Sequence, residues 1–151
     1  MPKCWSLPRL HCQAWFWIFS NHASAADAVW VLLALRQPNM IRVMAKNELH
    51  HAFFIGWVME KFRIIVVHRG KHDTKAFDTC ISALENDEKL LMFIEGTRWR
   101  PDKDTRAKTG AFRMAAQTDK PIVPVYVTRN KKPFAPVDVI IGKPFKLECG
   151  A

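Results

Sequence analysis

The chain has 151 residues, the length of one ordinary domain. About half of them are hydrophobic (49%) and a quarter charged (25%), which supplies a core and excludes a disordered tail. The net charge of +9 favours anionic partners such as nucleic acid, anionic lipid, CoA or an acidic carrier protein, without choosing among them.

In chain order, the N-terminal stretch of residues 1–12 reads as an extension, and 13–147 as one domain. Gln13–Ser20 is aromatic-rich and strand-like. Within it Ala14–Phe19 is the densest apolar patch, far short of the roughly 20 residues a membrane-spanning helix needs. Ala23-Ser24-Ala25 imitates a signal-peptidase site, but the apolar run before it is too short, and Asn21 and His22 follow at once. Ser24–Leu35 has a helical composition, closed by Pro38. Ile41–Ala45 is a short apolar run, and Glu48–Phe62 reads as helical. Ile64–Val67 is rich in β-branched residues and reads as a strand.

Thr74–Asn86 is the cleanest helix, with Phe77, Ile81 and Leu84 recurring on one face. Leu90–Ile94 has the composition of a buried strand, and Arg98–Arg106 is a polar loop. Lys108–Thr118 is a helix of small residues, while Ile122–Val127 and Val137–Ile141 are strands. Pro124 inside the first of these suggests an edge or a bulge. Strands alternating with helices predict an α/β fold, a mixed and mostly parallel sheet flanked by helices. The first strand lies close to the start and the last close to the end, before a tail at 148–151. That is the layout of a minimal domain or of a piece of a longer one.

The four cysteines (Cys4, Cys12, Cys80, Cys149) are widely spaced and include no C-x-x-C pair, so they read as reduced thiols. Cys4, His11, Cys12 and His22 fit no common metal-ligand spacing, and no metal is expected.

Five constellations carry polar chemistry. Asn21-His22-Ala23-Ser24-Ala25-Ala26-Asp27 falls at a strand-to-helix junction. Histidine suits general-base work near neutral pH, and a carboxylate five residues on, one turn into a helix, can bend back to fix the imidazole. The structural alternative is a capping box of Ser24 and Asp27 that only satisfies helix-start amides. In Phe93-Ile94-Glu95-Gly96-Thr97-Arg98 a buried strand ends in an acid, a glycine, a hydroxyl and a guanidinium. Arg98 is suited to gripping a phosphate, though a plain polar turn explains the same residues. Val66-Val67-His68-Arg69-Gly70 puts Arg69 at another strand end, where it could meet Arg98 or be a solvated loop arginine. Lys108-Thr109-Gly110-Ala111 opens a helix, either a fair anion site or ordinary loop charge. Pro121-Ile122-Val123-Pro124-Val125 is the fifth.

Their order and spacing resemble the lysophospholipid (glycerolipid) acyltransferase superfamily, and most closely bacterial 1-acyl-sn-glycerol-3-phosphate acyltransferases. That family carries N-H-x-x-x-x-D, a G-x-x-x-(I/V)-x-R-like block, F-x-E-G-T-R and V-P-(V/I). Here these stand in the same order at Asn21–Asp27, Phe62–Arg69, Phe93–Arg98 and Ile122–Val125, with Trp99 where a small polar residue is usual. The resemblance implies that His22 is the general base and Asp27 its orienter. It implies that Arg69, Arg98 and Lys108 hold an acceptor phosphate, that Gly96 and Thr97 shape that pocket, and that Glu95 organises the arginines.

The expected reaction moves a fatty acyl group from acyl-CoA or acyl carrier protein to the free hydroxyl of a lysophospholipid. Lysophosphatidate leads as acceptor, with glycerol-3-phosphate, other lysophospholipids and lyso-ornithine lipid as alternatives. No cofactor beyond the acyl carrier is expected. The expected location is peripheral, on the cytoplasmic face of a membrane. Trp5, Leu7, Leu10, Trp15, Phe16 and Trp17 serve there either as an interfacial anchor or as core aromatics, and Trp30–Leu35 and Phe53–Met59 as membrane face or acyl tunnel. A non-catalytic lipid-binding module of the same fold is the alternative. A nucleic-acid-binding domain has only the charge in its favour, since no RNA-binding motif interleaves aromatics with the bases.

Overall fold

A computed structural model describes residues 16–24, 26–36, 41–46, 63–67, 74–102, 105–129 and 136–147. The described elements are β1 (Trp17–Ser20), α1 (Asp27–Leu35), β2 (Ile41–Lys46), β3 (Ile65–Val67), α2 (Thr74–Glu85), β4 (Lys89–Phe93), α3 (Thr109–Thr118), β5 (Ile122–Val127) and β6 (Val139–Ile141). The helical reading of Glu48–Phe62 and the N-terminal aromatics Trp5 and Trp15 lie outside the described residues.

The strands form one sheet in the order β3-β2-β4-β1-β5-β6. The pairs β1–β4, β1–β5, β2–β3 and β2–β4 are parallel, and β5–β6 is antiparallel. Buried parallel strands read as nearly continuous apolar runs, which is the pattern of Trp17–Ser20 and Ile122–Val127.

Alternation along each strand divides the core into two layers. On one face Phe16, Ile18, Val43, Leu91, Val123 and Val125 pack against Val31, Leu32 and Leu35 of α1. On the other, Trp17, Phe19, Leu90 and Ile122 pack against α2 and α3. Phe16 and Trp17 are therefore core aromatics, not an interfacial anchor. The Trp17 indole N–H, which burial would otherwise leave unsatisfied, donates to Thr118 Oγ1 at 2.8 Å.

Two details differ from the sequence reading. The inward stripe of α2 is Ala76, Cys80, Ala83 and Leu84, with Phe77 and Ile81 only half-buried. Small side chains let the helix axis approach the sheet, so Cys80 reaches Met44 Sδ at 3.7 Å, and the larger residues are displaced to the flanks. Pro124 does not mark an edge, because β5 lies between β1 and β6, but the pairing slips by one residue beside it, from Val125↔Ile141 to the Ile122↔Phe145 bridge, as at a bulge. Its carbonyl accepts the Gly142 N–H at 2.8 Å, so its nitrogen also faces β6, just beyond the Val125–Val127 ladder. The missing proline donor thus costs no bond to β1. A Cβ on Gly142 would meet Pro124 Cγ at 2.7 Å, and the bare glycine makes this close approach possible.

Candidate active site

Register brings the motifs together. Ser20 is level with Phe93 on one side and with Val125 on the other. Two residues beyond these lie His22, Glu95 and Val127, so three distant sequence blocks emerge side by side at the carboxyl end of the sheet. The chain leaves β1 by α1 on one face towards β2, and leaves β4 by α3 on the other face towards β5. Connections diverging in this way frame the crevice in which open parallel sheets bind ligands.

Asn21 is buried and fastens this end of the sheet. Its Nδ2 donates to Val127 O at 2.9 Å, and its Oδ1 accepts the Val127 N–H at 2.8 Å. The backbone then turns out of β1 and presents His22, whose side chain keeps 20% of its surface exposed. His22 Nδ1 lies 3.3 Å from Asp27 Oδ2, and the imidazole stacks on Phe93 with ring centroids 4.2 Å apart.

Asp27 is 0% exposed. Its Oδ2 accepts the Ala23 and Ser24 N–H groups, each at 2.6 Å, and its Oδ1 accepts the Ser24 hydroxyl at 3.2 Å. The two readings of this acid are thus not exclusive. Half of the expected capping box forms, the Asp27 carboxylate taking the Ser24 N–H, but Ala26 and not Ser24 is the N-cap of α1. Asp27 is instead the first helical residue, and its carboxylate folds back over the preceding turn. The same oxygen that ties down the turn amides faces the imidazole. Buried and hydrogen-bonded, the carboxylate holds the ring in one orientation and suits a tautomer with the proton on Nδ1.

The strand end at β4 supplies the facing wall. Gly96 has φ of 66°, a left-handed conformation that folds its N–H back onto Phe93 O at 3.0 Å. This turn buries Glu95 and leaves the Thr97 and Arg98 side chains exposed. Trp99 N–H donates to His22 O at 2.6 Å, so Arg98 lies one residue from the His22 backbone. Lys108 is the N-cap of α3, its N–H bonded to Ile94 O at 2.9 Å and its side chain exposed at the same end of the sheet. Arg69 lies outside the described residues.

Glu95 Oε2 accepts the His22 N–H at 3.5 Å, and Oε1 takes Arg129 Nη2 at 2.8 Å. The arginine that Glu95 holds therefore comes from the end of β5, outside the recognised blocks. The same guanidinium lies 5.3 Å from the Trp99 ring centroid. Sequence reasoning missed Arg129, Phe93 as a stacking partner, and the tie of Asn21 to β5. Only register could have found them, since each depends on which strands are neighbours.

Elsewhere, a cleft of about 540 Å³ lies at the opposite end of the sheet, between the start of β2 and α2. Its arginines, Arg42 and Arg63, are both paired with Glu88. Among the described residues no three His, Cys, Asp or Glu side chains gather as a metal-ligand cluster. No described helix is long and apolar enough to cross a membrane.

Comparison with known proteins agrees with this geometry. The acyltransferase family profile matches residues 15–128. A 1-acyl-sn-glycerol-3-phosphate acyltransferase of Saccharomyces cerevisiae is 34% identical over 125 residues, covering 79% of this chain and 40% of the yeast protein. That of Bacillus subtilis is 28% identical over 122 residues, covering 81% of this chain and 60% of its own length. The crystal structure of the 1-acyl-sn-glycerophosphate (LPA) acyltransferase PlsC from Thermotoga maritima shares the fold. Its TM-score is 0.65 at 24% identity, over 87% of this chain and 55% of that one. The chain thus spans about half the length of the proteins it matches. The profile takes in β1, the turn that carries His22 and Asp27, and the strand ends that face them. By that match the chain belongs to the acyltransferase family.

Proposed function

We propose that this chain transfers a fatty acyl group from a thioester donor, acyl-CoA or acyl carrier protein, to the free hydroxyl of a lysophospholipid. The acceptor that fits best is 1-acylglycerol-3-phosphate, with phosphatidate as product. The observation that carries the reading is the His22–Asp27 pair at 3.3 Å, with a buried acid and a partly exposed imidazole at the mouth of a parallel sheet.

In the proposed step the acceptor hydroxyl gives its proton to the ring nitrogen of His22 that faces away from Asp27. The hydroxyl oxygen attacks the thioester carbonyl, the C–S bond breaks, and the departing thiolate takes the proton back from His22. Asp27 stabilises the imidazolium in between. Base assistance of this kind contributes roughly 10²–10⁴-fold, and positioning of the two substrates supplies the rest. Arg98, Lys108 and Arg69 hold the acceptor phosphate, Gly96 and Thr97 shape its seat, and Glu95 organises the guanidinium groups. The mechanism calls on no metal or prosthetic group.

A peripheral position on a membrane, on its cytoplasmic face, belongs to the same proposal. It is supported by the outer face of α1, where Val29, Trp30 and Leu33 lie exposed at helical spacing beside the His22 turn. It is also supported by the excess of basic residues over acidic ones.

The test is mass spectrometry of products from lysophosphatidate and a panel of long-chain acyl-CoA and acyl carrier protein donors, for the wild type and for His22→Ala. Phosphatidate from the wild type and none above background from a folded His22→Ala protein is the expected result. An active His22→Ala protein would remove the base from the mechanism. Lipid binding without turnover for any donor would make the chain a binding module.

A further inference from the structure

We infer that Arg129 is a positioning residue for His22, acting through Glu95 and Trp99. The inference rests on His22 being the base of the proposed reaction.

The two polar groups of the His22 backbone are each held by a residue that Arg129 touches. The His22 N–H points to Glu95 Oε2 at 3.5 Å, and Glu95 Oε1 is bound by Arg129 Nη2 at 2.8 Å. The His22 carbonyl accepts the Trp99 N–H at 2.6 Å, and the Arg129 guanidinium lies over the Trp99 ring at 5.3 Å. Glu95 is only 6% exposed, so its charge needs a partner at close range, and among the described residues that partner is this arginine. The guanidinium suits the place because one planar group pairs with a carboxylate at its edge and covers an indole with its face, which an ammonium cannot do.

Delivery of Arg129 is itself coupled to the His22 turn. Asn21 bonds both backbone groups of Val127, two residues before Arg129, so the residue before the base sets the end of β5 that carries the arginine. The result is a closed circuit: Asn21 to β5, β5 to Arg129, Arg129 to Glu95 and Trp99, and these to the two sides of His22. Among the described residues the buried Arg129 Nε has no hydrogen-bond partner, so the guanidinium is held by this circuit rather than saturated by it.

The circuit assigns Arg129 an electrostatic task as well. Among the described residues, two carboxylates reach His22, Asp27 from α1 at the ring and Glu95 from the end of β4 at the backbone N–H, and Arg129 pairs with the second. Without it, the carboxylate of Glu95 stands uncompensated at the His22 backbone, and a negative charge so close to the residue favours the imidazolium. The base would then be protonated over more of the working pH range.

The test uses the full chain with Arg129→Met, Arg129→Lys, Glu95→Gln and the Glu95→Gln/Arg129→Met double variant, each checked for its fold by circular dichroism. With lysophosphatidate and a long-chain acyl-CoA, Arg129→Met is expected to lower kcat roughly tenfold or more, with the lysophosphatidate KM within about threefold. Arg129→Lys restores part of the loss through the ion pair. In the Glu95→Gln background Arg129→Met adds little, because both changes break one circuit.

The second readout is the titration of the His22 ring protons by NMR, which needs no turnover. The midpoint is expected to move up in Arg129→Met and to return in the double variant, while Asp27 is the same in all of them. A raised KM with unchanged kcat would make Arg129 a direct ligand of the acceptor and overturn the assignment. Additive losses, or an unmoved His22 midpoint, would overturn it too. Absence of phosphatidate from the wild type is a failure of the proposed function alone, and the titration still decides the role of Arg129.

Discussion

Replacing Asp27 by asparagine separates the two tasks of this side chain. An amide is nearly isosteric with the carboxylate. Its oxygen can take the place of Oδ2 against the Ala23 and Ser24 N–H groups, both now at 2.6 Å, and its NH₂ can face the Ser24 hydroxyl, now at 3.2 Å from Oδ1. The geometry of the turn is therefore kept and the charge is lost. A hydrogen bond to a charged group contributes about 1.5–3 kcal/mol against about 0.5–1.5 kcal/mol for a neutral one, so these bonds lose on the order of 1 kcal/mol each. Relief from holding a charge at 0% exposure offsets part of that, leaving a net cost of about 2 kcal/mol. Urea denaturation should report that loss with an unchanged m-value.

Activity should suffer far more, by roughly 10²–10⁴-fold in kcat, because a neutral amide cannot stabilise the imidazolium and no longer dictates which nitrogen carries the proton. Acyl transfer from a long-chain acyl-CoA to lysophosphatidate, followed by mass spectrometry, measures it. A folded Asp27→Asn protein within about threefold of wild-type kcat would refute the reasoning. The acid would then be a device of the turn and nothing more.

Two further outcomes follow from burial. Asn21→Ala strips the partners from both backbone groups of Val127, which is 0% exposed, at about 1–3 kcal/mol for each orphaned group. A fall in stability on the order of 3 kcal/mol by urea denaturation is expected, and a change below about 0.5 kcal/mol would mean that water replaces the amide. Burial holds the ammonium of Lys89 below its usual 10.5, despite the Phe16 ring at 5.2 Å. Between the lowered value and 10.5 the unfolded chain binds more protons, so the wild type gains stability relative to Lys89→Met as pH rises through that interval. Paired denaturation curves from neutral pH to about 10.5 should show the gap moving in favour of the wild type, and a gap independent of pH would be the contrary result.

The fold was legible because each strand advertises itself locally. Ile122–Val127 is read to the residue, since a short run of β-branched and aromatic residues that contains Pro124 and is bounded by Pro121 and Thr128 has no helical alternative. Other boundaries move by one to four residues, from Gln13 to Trp17 at β1 and from Ser24 to Asp27 at α1, where the carboxylate occupies the turn that Ser24 was expected to open. The misread side of α2 has a different cause. Hydropathy ranks Phe77 and Ile81 above Ala76 and Ala83, but a helix lying flat on a sheet selects for closeness, and closeness favours small side chains. Pro124 misled only as to an edge, for want of topology. A proline is excluded from a central strand only when its missing N–H falls within a ladder, and here it falls at a ladder's end.

The site divides along the same line. His22 and Asp27 are five residues apart, so a local pattern could propose their contact, and the structure has them 3.3 Å apart. Glu95 and Arg129 are 34 residues apart, and the Asn21 contacts with Val127 span 106. No periodicity or capping rule reaches that far. What joins them is the parallel register of β1 between β4 and β5, in which Ser20, Phe93 and Val125 stand level. Once that register is known, the residues two to four positions past each strand end must share one small volume, and their charges have to be mutually compatible. A buried acid at 95 then calls for a base within reach. The positions facing it across β1 lie at the end of β5, where Arg129 stands.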